Sequence, residues 1–344
     1  MARGLHLRLP LPRSVPVILL RVDPLHPSPE SLAPAAEALR RGGLVAFPTE
    51  TVYGLGADAL DPAAVARIFA AKGRPGSNPL IVHAADAERA RALAAAWPEE
   101  AGLLAAEFWP GPLTLVLPKD AAVPDAVTAG LPTVALRVPA HPVAHALLAA
   151  AGIPVAAPSA NRSTRLSPTT AQHVVRGLGD RVDVVVDGGP CPVGIESTVL
   201  SLAGGRPTLL RPGSISVEAL RAVVGEVSLP TAEPEDTAAR PSPGMMDRHY
   251  APRARLRVMD AGSRAALLAA AGVRPTGALL LAPAPGAALA LAIPMPREPA
   301  AYAARLYAAL HEVDEAGCEA VLVDAVPEGE AWGGVRDRLR RAGG

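Results

Sequence analysis

Residues 42–83 read GGLVAFPTETVYGLGADALDPAAVARIFAAKGRPGSNPLIVH, and this stretch sets the interpretation of the rest of the chain. A short apolar run (44–47) opens it, an Ala-rich run (62–71) follows, and a second apolar run (80–83) closes it. Asp61-Pro62 is a helix start, with an N-cap side chain followed by Pro at the first helical position. Between these runs lie two uncharged hydroxyls, Thr49 and Thr51, a Gly-punctuated turn at Gly54 and Gly56, and the cluster Lys72, Arg74, Ser77, Asn78 and His83. Fixed cations beside small polar groups at strand ends suit a phosphate-bearing ligand. A second polar cluster, PSANRS at 158–163, follows far downstream.

Outward from this stretch, residues 17–225 alternate between short β-branched runs and Ala-rich runs. Strands are expected at 44–47, 80–83, 113–117, 134–138, 155–157, 184–187, 199–202 and 208–211. Helices are expected at 31–41, 62–71, 87–96, 142–151, 169–177 and 217–224, with Ser167-Pro168 as a second helix start. The pattern is that of an α/β domain, although spacing alone leaves the strand order open. Residues 226–254 are Pro-rich and aperiodic and read as a linker, ending in the unusual His249-Tyr250-Ala251-Pro252. Residues 255–344 resume a smaller, Rossmann-like α/β pattern, with strands at 256–259, 278–281 and 320–323 and helices near 264–271 and 300–312. It lacks GxGxxG, so no dinucleotide site is read into it.

At 344 residues the chain is long enough for two domains and a sizeable core. Half of it is apolar but little is aromatic, so Ala, Val and Leu must fill that core. Its 33 basic and 33 acidic residues balance, which argues against a bulk electrostatic grip on nucleic acid. The two cysteines, Cys191 and Cys318, lie far apart, which suits a reducing compartment and leaves no disulfide framework. Residues 1–16 read as a loose extension, because Pro10, Pro12, Pro16 and scattered Arg break up any signal-like apolar run. No apolar run reaches the roughly 18 residues of a membrane span, so a cytoplasmic protein is expected.

Several residues admit two readings. Lys72 and Arg74 either complement the dipole of the preceding helix or face a ligand from the rigid turn at 75–79. His83 ends a strand and is either structural or ligand-facing. Arg137 sits inside the apolar run VALRV, where a charge is costly unless it is ion-paired or binds a substrate carboxylate. Ser159 and Asn161 follow a strand, the place where open α/β sheets bind ligands or simply turn. No GxSxG elbow and no Walker A sequence occurs, which excludes the usual serine hydrolase and P-loop readings. His141 and His145 form HxxxH without the Glu of a zincin.

Taken together, FPTETVYGLG, AKGRP with the following NPL and His83, WPGPLTLVL, TVALRVP, AAPSANRS, ESTVL and LLRPG resemble the threonylcarbamoyl-AMP synthase family, also called YrdC-type, in family order through about residues 26–215. The later HYAP and small C-terminal domain are similar to the longer, two-domain form. The resemblance implies a twisted, mixed sheet with flanking helices around a concave cavity. It implies a reaction of L-threonine, bicarbonate and ATP, with Mg²⁺ arriving on ATP. The products would be threonylcarbamoyl-AMP and pyrophosphate, and a separate transferase complex would carry the group to adenosine 37 of tRNAs that read ANN codons.

Carried over motif by motif, the nucleotide set is Lys72, Arg74, Asn78, Thr133, Ser159, Asn161, Ser167, Arg211 and Tyr250. The threonine set is Thr51, His83, Arg137 and Ser197, with the backbone at Ala157. Lys72 and Arg74 would act as catalytic cations on the triphosphate, and Tyr250 would make the linker a lid. No catalytic role is expected of the C-terminal domain or of the loop at 190–194. Two other readings stay open: a carbamoyl-adenylate enzyme with another acceptor, and a non-catalytic RNA- or ribosome-binding module. The first of these usually carries zinc-finger segments, for which two cysteines are too few. A weak RNA or tRNA contact is compatible with any of the three.

Overall fold

A computed structural model describes residues 17–229 and 250–343. The expected N-terminal extension and most of the linker, His249 included, therefore lie outside the described residues. The first domain is built on ten strands: β1 (Ile18–Arg21), β2 (Val45–Phe47), β3 (Gly54–Asp58), β4 (Ile81–His83), β5 (Leu113–Pro118), β6 (Thr133–Arg137), β7 (Val155–Ala156), β8 (Val184–Asp187), β9 (Thr198–Ser201) and β10 (Thr208–Arg211). They lie in the order β1-β8-β2-β3-β7-β4-β6-β5-β9-β10. The sheet is mixed: β4 and β6 are parallel, while β7 runs antiparallel to β4 and β5 antiparallel to β6.

The Pro62–Lys72 helix starts as its sequence demands, with Asp61 accepting from the backbone N–H of Ala63, and it ends at Gly73 in the left-handed region. Val65 and Ile68 on its inner face are fully buried in the main core. Each such side chain contributes about 1.5–3 kcal/mol. Ser167-Pro168 does not start a helix, however. Thr170 is the N-cap of Ala171–Leu178, and Ser167 turns instead to Glu196.

Gly54 and Gly56 are also misread as a turn, since both belong to β3. A Cβ on Gly56 would lie 2.8 Å from both the Phe47 ring and Val155, so only glycine lets β3 pass there. The short edge strand β1 and the helices Glu99–Phe108 and Asp125–Thr128 lie outside the expected elements as well. Val227 is buried in the main core, and Ser228 pairs with the backbone at Pro207 and Leu209. Both sit in the stretch read as linker, but they pack as part of the first domain.

The second domain is a four-stranded, all-parallel sheet of β11 (Arg255–Met259), β12 (Thr276–Leu280), β13 (Leu291–Pro294) and β14 (Ala320–Asp324), in the order β11-β14-β12-β13. Its helices include Arg264–Ala269, Pro299–Glu315 and Gly333–Gly343. The two domains share one apolar cluster, in which Val52, Leu166 and Ile195 of the first pack with Tyr302, Leu306, Tyr307 and Val335 of the second. Gly194, at φ 77°, lies in the 190–194 loop, to which no role was assigned from sequence. A Cβ there would meet the backbone of Ala303 and Ala304 at 2.5 Å, so this loop is a docking contact.

His173 of the first domain stacks on His311 of the second, with ring centroids 3.8 Å apart and an interplanar angle of 19°. Burial, then the neighbouring His311 and Arg176, lower the pKa of His173 to about 3. Burial also lowers that of His311, opposed by its hydrogen bond to the Ser167 backbone and by Asp314 and reinforced by Arg176 and Arg253. Arg176 itself pairs with Glu315 across the interface. Both imidazoles are thus neutral when folded and take protons near pH 6.5 when released. The unfolded chain therefore binds more protons below that pH, and stability falls as pH falls through it. Denaturant unfolding should show a wild-type loss between about pH 7.5 and about pH 5 that is smaller in His173→Gln. An equal loss in that variant would exclude the stacked pair as its source.

Candidate active site

The register of the first sheet assembles a cavity. β4 and β6 are parallel neighbours in which His83 pairs with Arg137 and Ile81 with Ala135. Alternate residues share a face, so His83, Arg137, Ile81, Ala135 and, one step further, Thr133 point the same way. Ile81 and Ala135 join Val116 and Val199 in a small apolar cluster that floors this face. The loop after β7 crosses at the end of β4, where the N–H of Ala157 donates to the Ile81 carbonyl. The PTETV loop covers the other side, tied down by the Tyr53 hydroxyl on the Gly189 carbonyl. The resulting cleft encloses about 520 Å³, open solvent included, and is lined by Thr51, Arg74, His83, Arg137, Ala157, Ser159, Glu196, Ser197, Arg211 and Tyr250 among others.

At one end, the Arg137 guanidinium donates to Thr51 Oγ1 at 3.0 Å and to the Gly111 carbonyl at 3.2 Å. It is also ion-paired with Glu50 at 2.6 Å, both side chains being buried. The sequence left a salt bridge and a carboxylate-binding arginine as alternatives for Arg137; the fold shows the salt bridge, and the same residue also lines the cleft. Thr49 gives its hydroxyl proton to the Val52 carbonyl, so the 2.8 Å contact between Thr49 and Thr51 has Thr51 as donor. Burial and then Arg137 lower the His83 pKa to about 3, which keeps its imidazole neutral at physiological pH.

At the other end lie Arg74 and Arg211. Arg74 donates to the carbonyls of Asn78 and Pro79 at 3.1 and 2.8 Å, and burial lowers its pKa to about 10. Arg211, at the end of β10, donates to the carbonyl and hydroxyl of Ser197, each at 3.1 Å. Ser197 is held from its other side by Thr114 at 2.8 Å. Tyr250 is 1% exposed and adopts φ 61°, a conformation uncommon outside glycine. Its backbone neighbour Ala251 donates to the Thr164 carbonyl, which anchors the returning chain on the first domain.

Five of the expected residues do not line the cleft. Lys72 lies behind the wall, where Nζ donates to the carbonyls of Ser159 and Asn161 at 2.5 and 2.6 Å. Burial and Arg74 together hold its pKa well below the usual lysine value. Asn161 braces the same loop by donating to the carbonyls of Arg162 and Arg165. Asn78 offers Arg74 its carbonyl, Thr133 opens β6, and Ser167 donates to Glu196. Three charged residues that the sequence left without a role prove central. Glu50 holds Arg137, Glu196 stands on the cavity wall, and Arg338 of the second domain binds Glu196 at 2.7 Å. The C-terminal domain, none of whose residues the sequence placed in the chemistry, therefore contacts the cleft wall through Arg338. An arginine within an apolar strand was the available signal for Glu50, whereas no local pattern marked Arg338.

A family model described as telomere recombination, for Sua5, YciO and YrdC proteins, matches residues 37–213. A second, described as the threonylcarbamoyl-AMP synthase C-terminal domain, matches residues 215–344. The chain is 51% identical over 227 residues to the threonylcarbamoyl-AMP synthase of Pyrococcus abyssi, covering 66% of this chain and 67% of that one. It is 50% identical over 239 residues to the Bacillus subtilis protein of the same name, covering 69% of each. The crystal structure of P. abyssi Sua5 complexed with L-threonine matches with a TM-score of 0.88 at 41% identity, over 95% of this chain and 98% of that one. With both regions matched in order, the chain belongs to the Sua5/YciO/YrdC family, in the two-domain form that carries the threonylcarbamoyl-AMP synthase C-terminal domain.

Proposed function

We propose that the chain condenses L-threonine, bicarbonate and ATP into threonylcarbamoyl-AMP, releasing pyrophosphate and water. The observation that carries this reading is a single cleft with two chemically distinct ends. His83 and Arg137 stand in register at one end, and Arg74, Arg211 and Tyr250 stand at the other. The names of the similar proteins, and the L-threonine in the P. abyssi complex, support it.

In this reading Arg137 and Thr51 take the threonine carboxylate, a match for the guanidinium fork. Ser197 and the backbone at Ala157 orient the rest of the amino acid. The neutral His83 accepts a hydrogen bond from the amine without repelling it. The amine adds to bicarbonate or carbon dioxide to give N-carboxy-threonine. Its new carboxylate oxygen attacks the α-phosphorus, the bond to the β-phosphate oxygen breaks, and pyrophosphate leaves. Arg74 and Arg211 offset charge on the triphosphate, while Ser159 and Tyr250 frame the nucleotide and Asn78 and Ser167 brace Arg74 and Glu196 from outside the lining. Lys72 and Asn161 hold the 159–161 loop in place. No enzyme nucleophile is required, so rate comes from positioning and electrostatics.

Mg²⁺ enters as part of the ATP substrate; among the described residues no three His, Cys, Asp or Glu cluster to hold a metal. The product passes to a separate transferase acting on tRNA, with at most a weak contact between this chain and RNA. No helix among the described residues is long and apolar enough to cross a membrane, and the cytoplasm is the proposed location.

Pyrophosphate release from ATP and bicarbonate should depend on L-threonine and fall by about 100-fold in Lys72→Ala, because the 159–161 loop loses its brace and the reactants are misplaced. No threonine-dependent release by the folded wild type would overturn the reading. Thr51→Val, which keeps shape but removes the hydroxyl, should raise KM for threonine about tenfold or more and leave KM for ATP within about threefold. Equal rises in both constants would contradict two separate ends.

A further inference from the structure

We infer that Arg338, carried by the second domain, is a positioning residue for the nucleotide end of the cleft: it neutralises Glu196 and holds it in place, so that the triphosphate meets no uncompensated carboxylate. The inference rests on the reading above, in which the Arg74 and Arg211 end receives ATP.

Glu196 immediately precedes Ser197 and lines the same cleft as Arg74 and Arg211. An anionic wall there opposes an anionic ligand unless its charge is cancelled. The second domain supplies the cancelling charge. The Arg338 side chain is fully buried, and its Nε donates to Glu196 Oε2 at 2.7 Å. Its Nη2 reaches the Glu196 carbonyl at 3.2 Å and its Nη1 the Pro212 carbonyl at 2.9 Å. The guanidinium carbon lies 5.1 Å from the centroid of the Tyr250 ring. Arg338 thus touches the chain beside Ser197, the chain beside Arg211, and Tyr250 itself.

The Tyr307 hydroxyl, also from the second domain, donates to Glu196 Oε2 at 3.1 Å. Glu196 passes this order on to Ser167, whose hydroxyl it accepts. Burial pushes the Glu196 carboxyl up, but Arg338 and Arg211 outweigh burial, so its pKa is below the ordinary value and the group is ionised. Asp337 also pairs with Arg338, at 2.8 Å, but a second arginine, Arg341, shares that carboxylate.

The seating of the helix that carries Arg338 is an independent sign of this fit. A Cβ on Gly334, one turn earlier, would come within 2.6 Å of the Gly213 carbonyl and 2.8 Å of Ile195. The helix therefore rests directly on the Arg211-Pro212-Gly213 loop.

ATP and L-threonine binding by the full-length chain, measured by titration calorimetry, separates the two roles, with thermal melts run in parallel. Arg338→Met should weaken ATP about tenfold or more, because it leaves Glu196 charged and unpaired. Threonine affinity should stay within about threefold. The double variant Arg338→Met with Glu196→Gln removes both charges, and Gln keeps an acceptor for Ser167. It should bring ATP affinity back to within about threefold of wild type. If Arg338→Met alone does not fold, the double variant decides. Once folded, a tenfold ATP defect in it would overturn the inference. So would an unchanged ATP affinity in folded Arg338→Met, equal losses for both ligands, or no ATP binding by the wild type. Threonine-dependent pyrophosphate release by the wild type reads the synthase assignment separately, so the two can fail independently.

Discussion

Buried cations that line a cleft have to be held without being cancelled. A buried charge is costly unless the protein satisfies it, yet a carboxylate partner also removes the attraction for an anionic ligand. Arg74 resolves this conflict with carbonyl oxygens, which orient the donor but leave its charge. Arg211 leans on the carbonyl and hydroxyl of Ser197. Arg137 is treated differently: Glu50 sits 2.6 Å from it and Thr51 accepts its hydrogen bond, so it enters the cleft as a paired charge. Arg74 and Arg137 thus line one cleft but are held differently, the first by backbone carbonyls and the second by a carboxylate.

The fold delivers these partners from distant parts of the chain. A single parallel pairing of β4 with β6 brings residues 83 and 137 side by side. The loop after β7 then offers the carbonyls on which Lys72 rests. The second domain closes the arrangement. It shares an apolar cluster with the first, and it reaches the cleft through Arg338 and Tyr307. A domain that, by sequence, contributes nothing to the chemistry is therefore in contact with the wall that frames it.

Much of this was legible beforehand, and the failures have physical causes. Residues 42–83 announced a strand, a capped helix and a polar turn because the apolar period and the Asp61-Pro62 start are strong local signals. Of the residues proposed for the site, Thr51, Arg74, His83, Arg137, Ala157, Ser159, Ser197, Arg211 and Tyr250 do line the cleft. β3 was lost because Gly54 and Gly56 carry the composition of a turn. They are glycines because Phe47 and Val155 leave no room for a side chain at Gly56, a tertiary reason that composition does not carry. The helix Gly333–Gly343 was lost because GGVRDRLRRAG reads as solvated and weakly helical. Its Asp337, Arg338 and Arg341 are buried against one another and against Glu196, and no periodicity reports a mutual burial of charges. Lys72 was singled out from its place beside Arg74, but its Nζ braces the wall instead of lining the cleft.

The most direct test is a crystal structure of the full-length chain with L-threonine and a non-hydrolysable ATP analogue. The account predicts the threonine carboxylate on Arg137 and Thr51, the triphosphate beside Arg74 and Arg211, and Glu196 still bound to Arg338. Threonine or nucleotide seated outside this cleft, or a triphosphate bound with Glu196 released from Arg338, would contradict it.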